Sequence, residues 1–234
     1  MDQQDLHETF LDLSTAHVAD AIVRLGSRVR QAPPTVRPLR RDARVLGRAR
    51  PVRHAGSVDV LLEAIEHAAT GDVLVIDNRG RRDEACVGDL LALEARHAGL
   101  AGIVIWGLHR DTRELRAIAL PLYSEGAVPA GPARLGAQPA VATAVAQIGE
   151  AVVTSEDVVF GDDDGVLFLP LGHWREIADA ARAIRDTERA QALRMNAGVT
   201  LRDQTRFAEF LVARARQGTT FREHLRNVGG AIEQ

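Results

Sequence analysis

"VGDLLALEARHAGLAGIVIWGLHRDT", residues 87–112, is the stretch whose reading decides the fold. Residues 89–98 carry helical apolar spacing and stop at Gly99, and "GIVIWG", 102–107, has the β-branched content of a strand. Upstream, "DVLVID", 72–77, reads as another short strand, closed by the turn "NRG". Strand, helix, strand at this spacing is a βαβ unit, so the two strands run parallel. Ligand sites in such units lie at the carboxyl ends of the strands, beside helix N-termini. Gly88-Asp89 and Arg110-Asp111 therefore fall at the same end of the sheet. Asp89 reads as a helix N-cap, and the amides of Leu90 and Leu91 behind it form a place where a small carboxylate can dock.

Working outward, "LSTAHVADAIVRLG", 13–26, is a helix capped by Ser14 or Thr15 and stopped by Gly26. Residues 28–53 hold nine arginines and the prolines Pro33, Pro34, Pro38 and Pro51, which predict loops and short strands. No aromatic residue interrupts this basic stretch to stack on bases, so it is read as a solvated or subunit-bridging surface, with no nucleic-acid partner. "SVDVLLEAIEHAATG", 57–71, predicts a second helix, and "ALPLYSEG" another short strand and turn. "AVVTSEDVVFGDDDGVLFLP", 151–170, predicts two strands around Asp164-Gly165. Helices follow to the end. The expected organisation is an α/β catalytic body over 1–170 and a helical C-terminal extension over 171–234, packed on the body or on a neighbouring subunit.

The composition restricts the chemistry. All 29 basic residues are arginine, so no lysine can form a Schiff base, and carbonyl chemistry needs a metal or a cofactor. The single cysteine, Cys86, excludes an intrachain disulfide and a thiolate metal cluster and suits a reducing compartment. The acidic N-terminus has no signal-peptide pattern, and no apolar run approaches the ~20 residues needed to cross a bilayer. A cytoplasmic protein with no membrane partner is expected. Nucleotide-binding glycine loops, H-E-x-x-H and G-x-S-x-G are missing. The acids 162–164 do not make a calcium loop, because a loop with its glycine at Gly165 would begin at Phe160. His97 and His109 read as surface or packing residues.

Asp89, Arg110 and Asp111 together offer two carboxylates and one guanidinium. Oxygen ligands favour Mg²⁺ or Mn²⁺ over zinc, and a guanidinium suits the carboxylate or enolate of a 2-oxo acid. Read alone, the same residues are also a helix cap and a turn ion pair.

Asp89, twenty intervening residues and Arg110-Asp111 resemble the D-x20-R-D motif of the class II pyruvate aldolases that cleave 4-hydroxy-4-methyl-2-oxoglutarate and 4-carboxy-4-hydroxy-2-oxoadipate. That family also contains the regulator of ribonuclease activity A. The blocks "LSTAHVADAIVRLG", "LGRARPV", "GDVLVIDNRG", "VGDLLALEARHAGLAGIVIWGLHRD" and "GDDDGVLFLP" extend the resemblance over nearly the whole chain. The resemblance implies an α-β-β-α sandwich of the swivelling phosphohistidine-domain type, assembled as a homotrimer or homohexamer with sites between subunits. It implies Asp111 as the metal ligand and Asp89 as an aid to proton transfer through a water. Arg110 would be the residue that binds the pyruvyl moiety, with Gly88 and the Leu90 and Leu91 amides beside it. A glutamate from a neighbouring subunit's C-terminal region is also implied, and Glu188 is the candidate. The expected activity is retro-aldol cleavage of a 4-hydroxy-2-oxo acid with release of pyruvate, together with oxaloacetate decarboxylation.

Two alternatives stay open. One is a non-catalytic regulator that binds an RNA-degrading endonuclease, although the regulator branch departs from the Arg-Asp pair that this chain keeps. The other is a lyase or isomerase acting on a sugar acid or another 2-oxo acid at the same metal site. Arg81, Arg82 and the helical tail are the candidates for specificity beyond the pyruvyl half.

Overall fold

The structure, a computed structural model, describes residues 3–137 and 141–228. Its centre is the βαβ unit: β3 (Val73–Val87), α4 (Asp89–His97) and β4 (Gly102–His109), with β3 and β4 parallel and Val73 opposite Gly102. Around it stand α1 (Gln3–Phe10), α2 (Thr15–Arg24), β1 (Arg37–Pro38), β2 (Val45–Arg53) and α3 (Asp59–Glu66). α5 (Thr112–Ile118), β5 (Leu122–Ser124), β6 (Val145–Ile148), β7 (Ala151–Thr154), β8 (Asp157–Asp162) and β9 (Gly165–Pro170) follow. The chain continues through α6 (Trp174–Asn196), α7 (Leu201–Gln204), α8 (Phe207–Gln217) and α9 (Phe221–Val228). The main sheet runs in the order β1-β5-β4-β3-β2-β8-β9, and β6-β7 form a separate hairpin. β2 to β5 are parallel neighbours, while β1, β8 and β9 join antiparallel.

Side-chain alternation curls this sheet around one core and presents two others outward. Val73, Val75, Val104, Tyr123, Val159 and Phe168 point inward, where the β6-β7 hairpin adds Ala146, Ile148 and Val153. Leu74, Ile76, Ile103, Ile105 and Leu122 point to the other face and meet α3, α4 and α5. Phe160, Leu167 and Leu169 pack outward on Phe10, Val18, Ile22, Trp174, Ile177 and Ile184 of α1, α2 and α6. Phe160 is fully buried and its ring centroid lies 5.1 Å from that of Phe10. Phe160→Ala is expected to destabilise the fold by roughly 3–5 kcal/mol, read as a lower urea midpoint at unchanged slope.

Several expectations need correction. The strand expected to close at Asp77 continues to Val87 as β3, with Arg79 and Gly80 at positive φ and three register shifts against β4. Because Arg81 pairs with Gly107 and Val87 with His109, seven residues of β3 face three of β4, and the surplus forms a bulge. The stretch 28–53 contains the nine-residue β2. Pro51 is tolerated because β8 pairs only with Val45–Arg48, leaving one neighbour at the proline. The span 151–170 holds three strands, since the chain turns at Ser155-Glu156 without a glycine or proline. The last hairpin turns on Asp163-Asp164, with Asp162 opposite Gly165. The helix expected over 57–71 is shortened to α3.

Seven of the nine arginines in 28–53 bind inside the chain. Arg30 pairs with Asp157, Arg50 with Asp72 and Arg53 with Asp77, all three acids being buried. Arg28 meets Glu150, Arg48 meets Glu156, Arg37 donates to the carbonyls of Pro34 and Asp164, and Arg44 to those of Phe10 and Leu13. Ser14 caps α2 in a reciprocal box with His17.

The first half of α6 lies on α1 and α2, while Phe207, Phe210, Phe221 and His224 of α8 and α9 stack on one another. The end of the expected extension, from residue 229, lies outside the described residues. Among the described residues, no helix is long and apolar enough to cross a membrane.

Candidate functional site

Val87 and His109 stand opposite each other as the last rungs of β3 and β4. The chains therefore leave the sheet side by side, and the Arg110 amide donates to the Val87 carbonyl at 2.9 Å. Gly88 and Asp89 are thus brought against Arg110 and Asp111. The Asp89 amide donates to Asp111 Oδ2 at 3.3 Å, and Arg110 Nε lies 3.5 Å from the same oxygen. Gly88 makes this approach possible: a Cβ there would sit 2.4 Å from Asp111 Oδ2 and 3.2 Å from Arg110 Nε.

Local backbone geometry changes two expected roles. Gly88, in an extended conformation, is the N-cap of α4, and Asp89 is its first helical residue. The Asp89 carboxylate still serves the helix end, because Oδ1 accepts the Leu90 amide at 2.8 Å. The Leu90 and Leu91 amides do lie in the first turn, with Leu90's already engaged. Asp111 occupies the N-cap position of α5 in the left-handed region, φ 58° and ψ 41°, and makes no side-chain cap bond. Its carboxylate is turned instead toward Asp89 and Arg110.

Stability does not account for this arrangement. The side chains of Arg110 and Asp111 are 48% and 36% exposed, and such an ion pair contributes at most about 1 kcal/mol. The left-handed backbone at a non-glycine residue costs on the order of 1 kcal/mol. What results is a half-open carboxylate and guanidinium at the sheet's carboxyl edge, the chemistry expected of a site for an anionic ligand and a hard cation. Among the described residues, no group of three or more His, Cys, Asp or Glu side chains could hold a metal ion. Asp111 with Asp89 nearby can therefore fit only a cation that keeps most of its waters, as Mg²⁺ does.

Sequence reasoning missed the surroundings of this site. The loop 125–137 passes along the end of β4, with the His109 amide bonded to Gly126 and Val128 to His109. It carries Arg134 onto Glu84 of the β3 bulge. His109 itself is buried, its ring nitrogens 2.7 Å from Ser124 Oγ and 3.0 Å from Thr112 Oγ1, so the packing role expected for it is what the structure places there. Burial, then Arg116, lowers its pKa below the usual histidine value. Arg81 pairs with Asp83 and approaches Glu84 at 3.4 Å, while Arg82 comes within 3.9 Å of Glu125. Glu188 lies elsewhere in the fold, on α6, paired with His17 of α2 at 3.2 Å.

Cys86, two residues before Gly88, is no nucleophile: burial pushes its thiol up to about 12. A thiol reagent at neutral pH should label it only after unfolding, and rapid labelling of the native protein would contradict this burial. The unfolded thiol, at 9.0, loses its proton first, so this group's contribution to stability falls as pH rises from 9.0 to about 12.

A family model described as RraA-like, Aldolase/RraA, matches residues 15–168. The chain belongs to the RraA-like family. A protein of Halalkalibacterium halodurans named "Putative 4-hydroxy-4-methyl-2-oxoglutarate aldolase" is 29% identical over 179 residues, 76% of this chain and 82% of that protein. A Thermus thermophilus protein of the same name is 33% identical over 128 residues, 55% of this chain and 77% of its own. The crystal structure of Streptomyces coelicolor RraAS2, described as an unusual member of the RNase ES inhibitor RraA protein family, superimposes with a TM-score of 0.73 at 27% identity. That match covers 81% of this chain and 98% of the other. The mixed α/β fold with its curled sheet is thus that of RraA-like proteins, and the family contains members named for both activities.

Proposed function

We propose that this RraA-like chain is a divalent-metal-dependent pyruvate lyase, cleaving a 4-hydroxy-2-oxo acid such as 4-hydroxy-4-methyl-2-oxoglutarate and decarboxylating oxaloacetate. The observation that carries the reading is the convergence of the Asp89 amide and the Arg110 guanidinium on the Asp111 carboxylate, at 3.3 and 3.5 Å. Asp111, assisted by Asp89, would hold Mg²⁺ or Mn²⁺. Such a cation supplies Lewis-acid stabilisation of the negative charge that develops on the substrate's C2 oxygen.

The chain's own groups do the rest. Arg110 engages the carboxylate and C2 oxygen of the pyruvyl half, where its fixed fork suits two oxygens. The first turn of α4, its Leu90 amide held by Asp89 and its Leu91 amide beside it, favours negative charge at that helix end. Asp89 Oδ1 is tied to the Leu90 amide, which leaves Oδ2 to accept the proton of the C4 hydroxyl, directly or through a water. The C4 oxygen then forms a carbonyl as the C3–C4 bond breaks, and the C4 fragment leaves as a carbonyl compound. The bond's electrons pass to the C2 oxygen, and protonation at C3 gives pyruvate. Decarboxylation of oxaloacetate passes through the same enolate without the hydroxyl proton. With no lysine in the chain, stabilisation of that enolate falls to Arg110 and the cation.

Glu188 is proposed to serve a neighbouring copy's site in a homotrimer or homohexamer, within an α-β-β-α sandwich of the phosphohistidine-domain type. A cytoplasmic location belongs to the same proposal. The test is pyruvate release by the purified protein with Mg²⁺ or Mn²⁺ and then with chelator. The resemblance to RraAS2 supports a second reading, a regulator that binds a ribonuclease. Recovery of a ribonuclease on the immobilised protein, without metal-dependent pyruvate release, would favour it.

A further inference from the structure

Arg110 is bounded on two sides by glycines. On one side is Gly88; on the other, in the loop 125–137, a Cβ built on Gly131 would lie 2.8 Å from Arg110 Nη1. Gly131 is not among the glycines at positive φ, so its backbone accepts other residues and what it lacks is space. Its position is set by the chain on either side. The Ala85 amide donates to the Ala130 carbonyl at 2.8 Å, and the Gly136 amide to the Ala55 carbonyl at 2.7 Å. Between them Arg134 donates from Nε to both Glu84 oxygens at 3.1 Å, and from Nη2 to Glu84 Oε1 at 2.6 Å and Asn78 Oδ1 at 3.1 Å. Glu84 is 4% exposed and Asn78 fully buried, and His54 Nδ1 completes the group 3.0 Å from the same Asn78 oxygen. A fork bound to a buried carboxylate is a rigid anchor, because release would strip Glu84 of its shortest charge contact and leave only Arg81 at 3.4 Å and His54 at 3.9 Å beside it.

We infer that the Glu84–Arg134 pair is a latch that fixes Gly131 against Arg110, and so sets where the Arg110 guanidinium points. Glu84, Gly131 and Arg134 are positioning residues that act through Arg110 and do not touch substrate. The inference deepens the lyase reading and rests on it for its kinetic consequence, but the orientation of Arg110 is measurable by itself.

The variants are Gly131→Ala, Arg134→Gln and Arg134→Lys. The first readout is the Nε–Hε NMR signal of Arg110, assigned by its loss in Arg110→Lys; the second is kcat and KM for oxaloacetate with Mg²⁺. Gly131→Ala can be accommodated by the far end of a flexible side chain, so its melting temperature should stay near wild type while the Arg110 signal moves. Its kcat/KM should fall about tenfold, since positional errors of this kind are costly to catalysis. Arg134→Gln should move the same signal, and Arg134→Lys should recover only part of it, keeping the charge without the fork. An Arg110 signal unchanged in both folded Gly131→Ala and folded Arg134→Gln would overturn the inference. If wild type releases pyruvate neither from oxaloacetate nor from 4-hydroxy-4-methyl-2-oxoglutarate, the lyase reading falls, and the signal alone then decides the latch.

Discussion

Asp111→Asn is expected to lower metal-dependent pyruvate release by about 10²-fold or more, with the fold intact. Asparagine is the informative replacement because it tolerates the left-handed backbone that Asp111 adopts, whereas alanine adds strain. The change removes a charge and leaves the shape. Asp111 makes no cap bond to α5, and the amide oxygen of asparagine can still accept the Asp89 amide of α4. The melting temperature should therefore move by only a degree or two, consistent with a surface substitution. Retention of full activity in Asp111→Asn would remove this residue from any metal site. Loss of the folded state would instead assign it a structural role.

Arg110→Lys is expected to lower kcat/KM by a similar factor, about 10²-fold, although the charge is conserved. Lysine offers a point charge with three rotating donors, and the fork that spans two substrate oxygens is gone. The exposed contact with Asp111 contributes little to stability, so thermal unfolding should be nearly unchanged. The division between parameters carries the mechanistic information. A fall in kcat would place the guanidinium's main contribution in the transition state, and a rise in KM alone would restrict it to substrate binding.

Much of this site is legible in the sequence because period-2 and period-3.6 patterns decide where chains leave a sheet. The runs 72–77, 89–98 and 102–107 put Gly88-Asp89 and Arg110-Asp111 at the same end of the sheet, and the pairing of Val87 with His109, in the part of β3 beyond the expected strand, sets them side by side. The β3 bulge was not legible. "NRG" has the composition of a turn, and only the three register shifts against β4 show that the strand resumes to carry Glu84 inward. Gly131 was illegible for another reason. "VPAGPARLGA" announces a loop, but which glycine faces a guanidinium depends on contacts between residues far apart in the chain. The helix cap failed by one residue, since a glycine at the N-cap leaves the following aspartate to bond the first turn from inside the helix.

The central claim is that this RraA-like protein releases pyruvate by metal-dependent carbon-carbon cleavage. Its most direct test is pyruvate formation by the purified full chain from oxaloacetate and from 4-hydroxy-4-methyl-2-oxoglutarate, with Mg²⁺ or Mn²⁺, then with excess chelator, then with metal restored. The account predicts release from at least one substrate that stops with chelator and returns with metal. No release from either substrate, or release indifferent to the chelator, would contradict it.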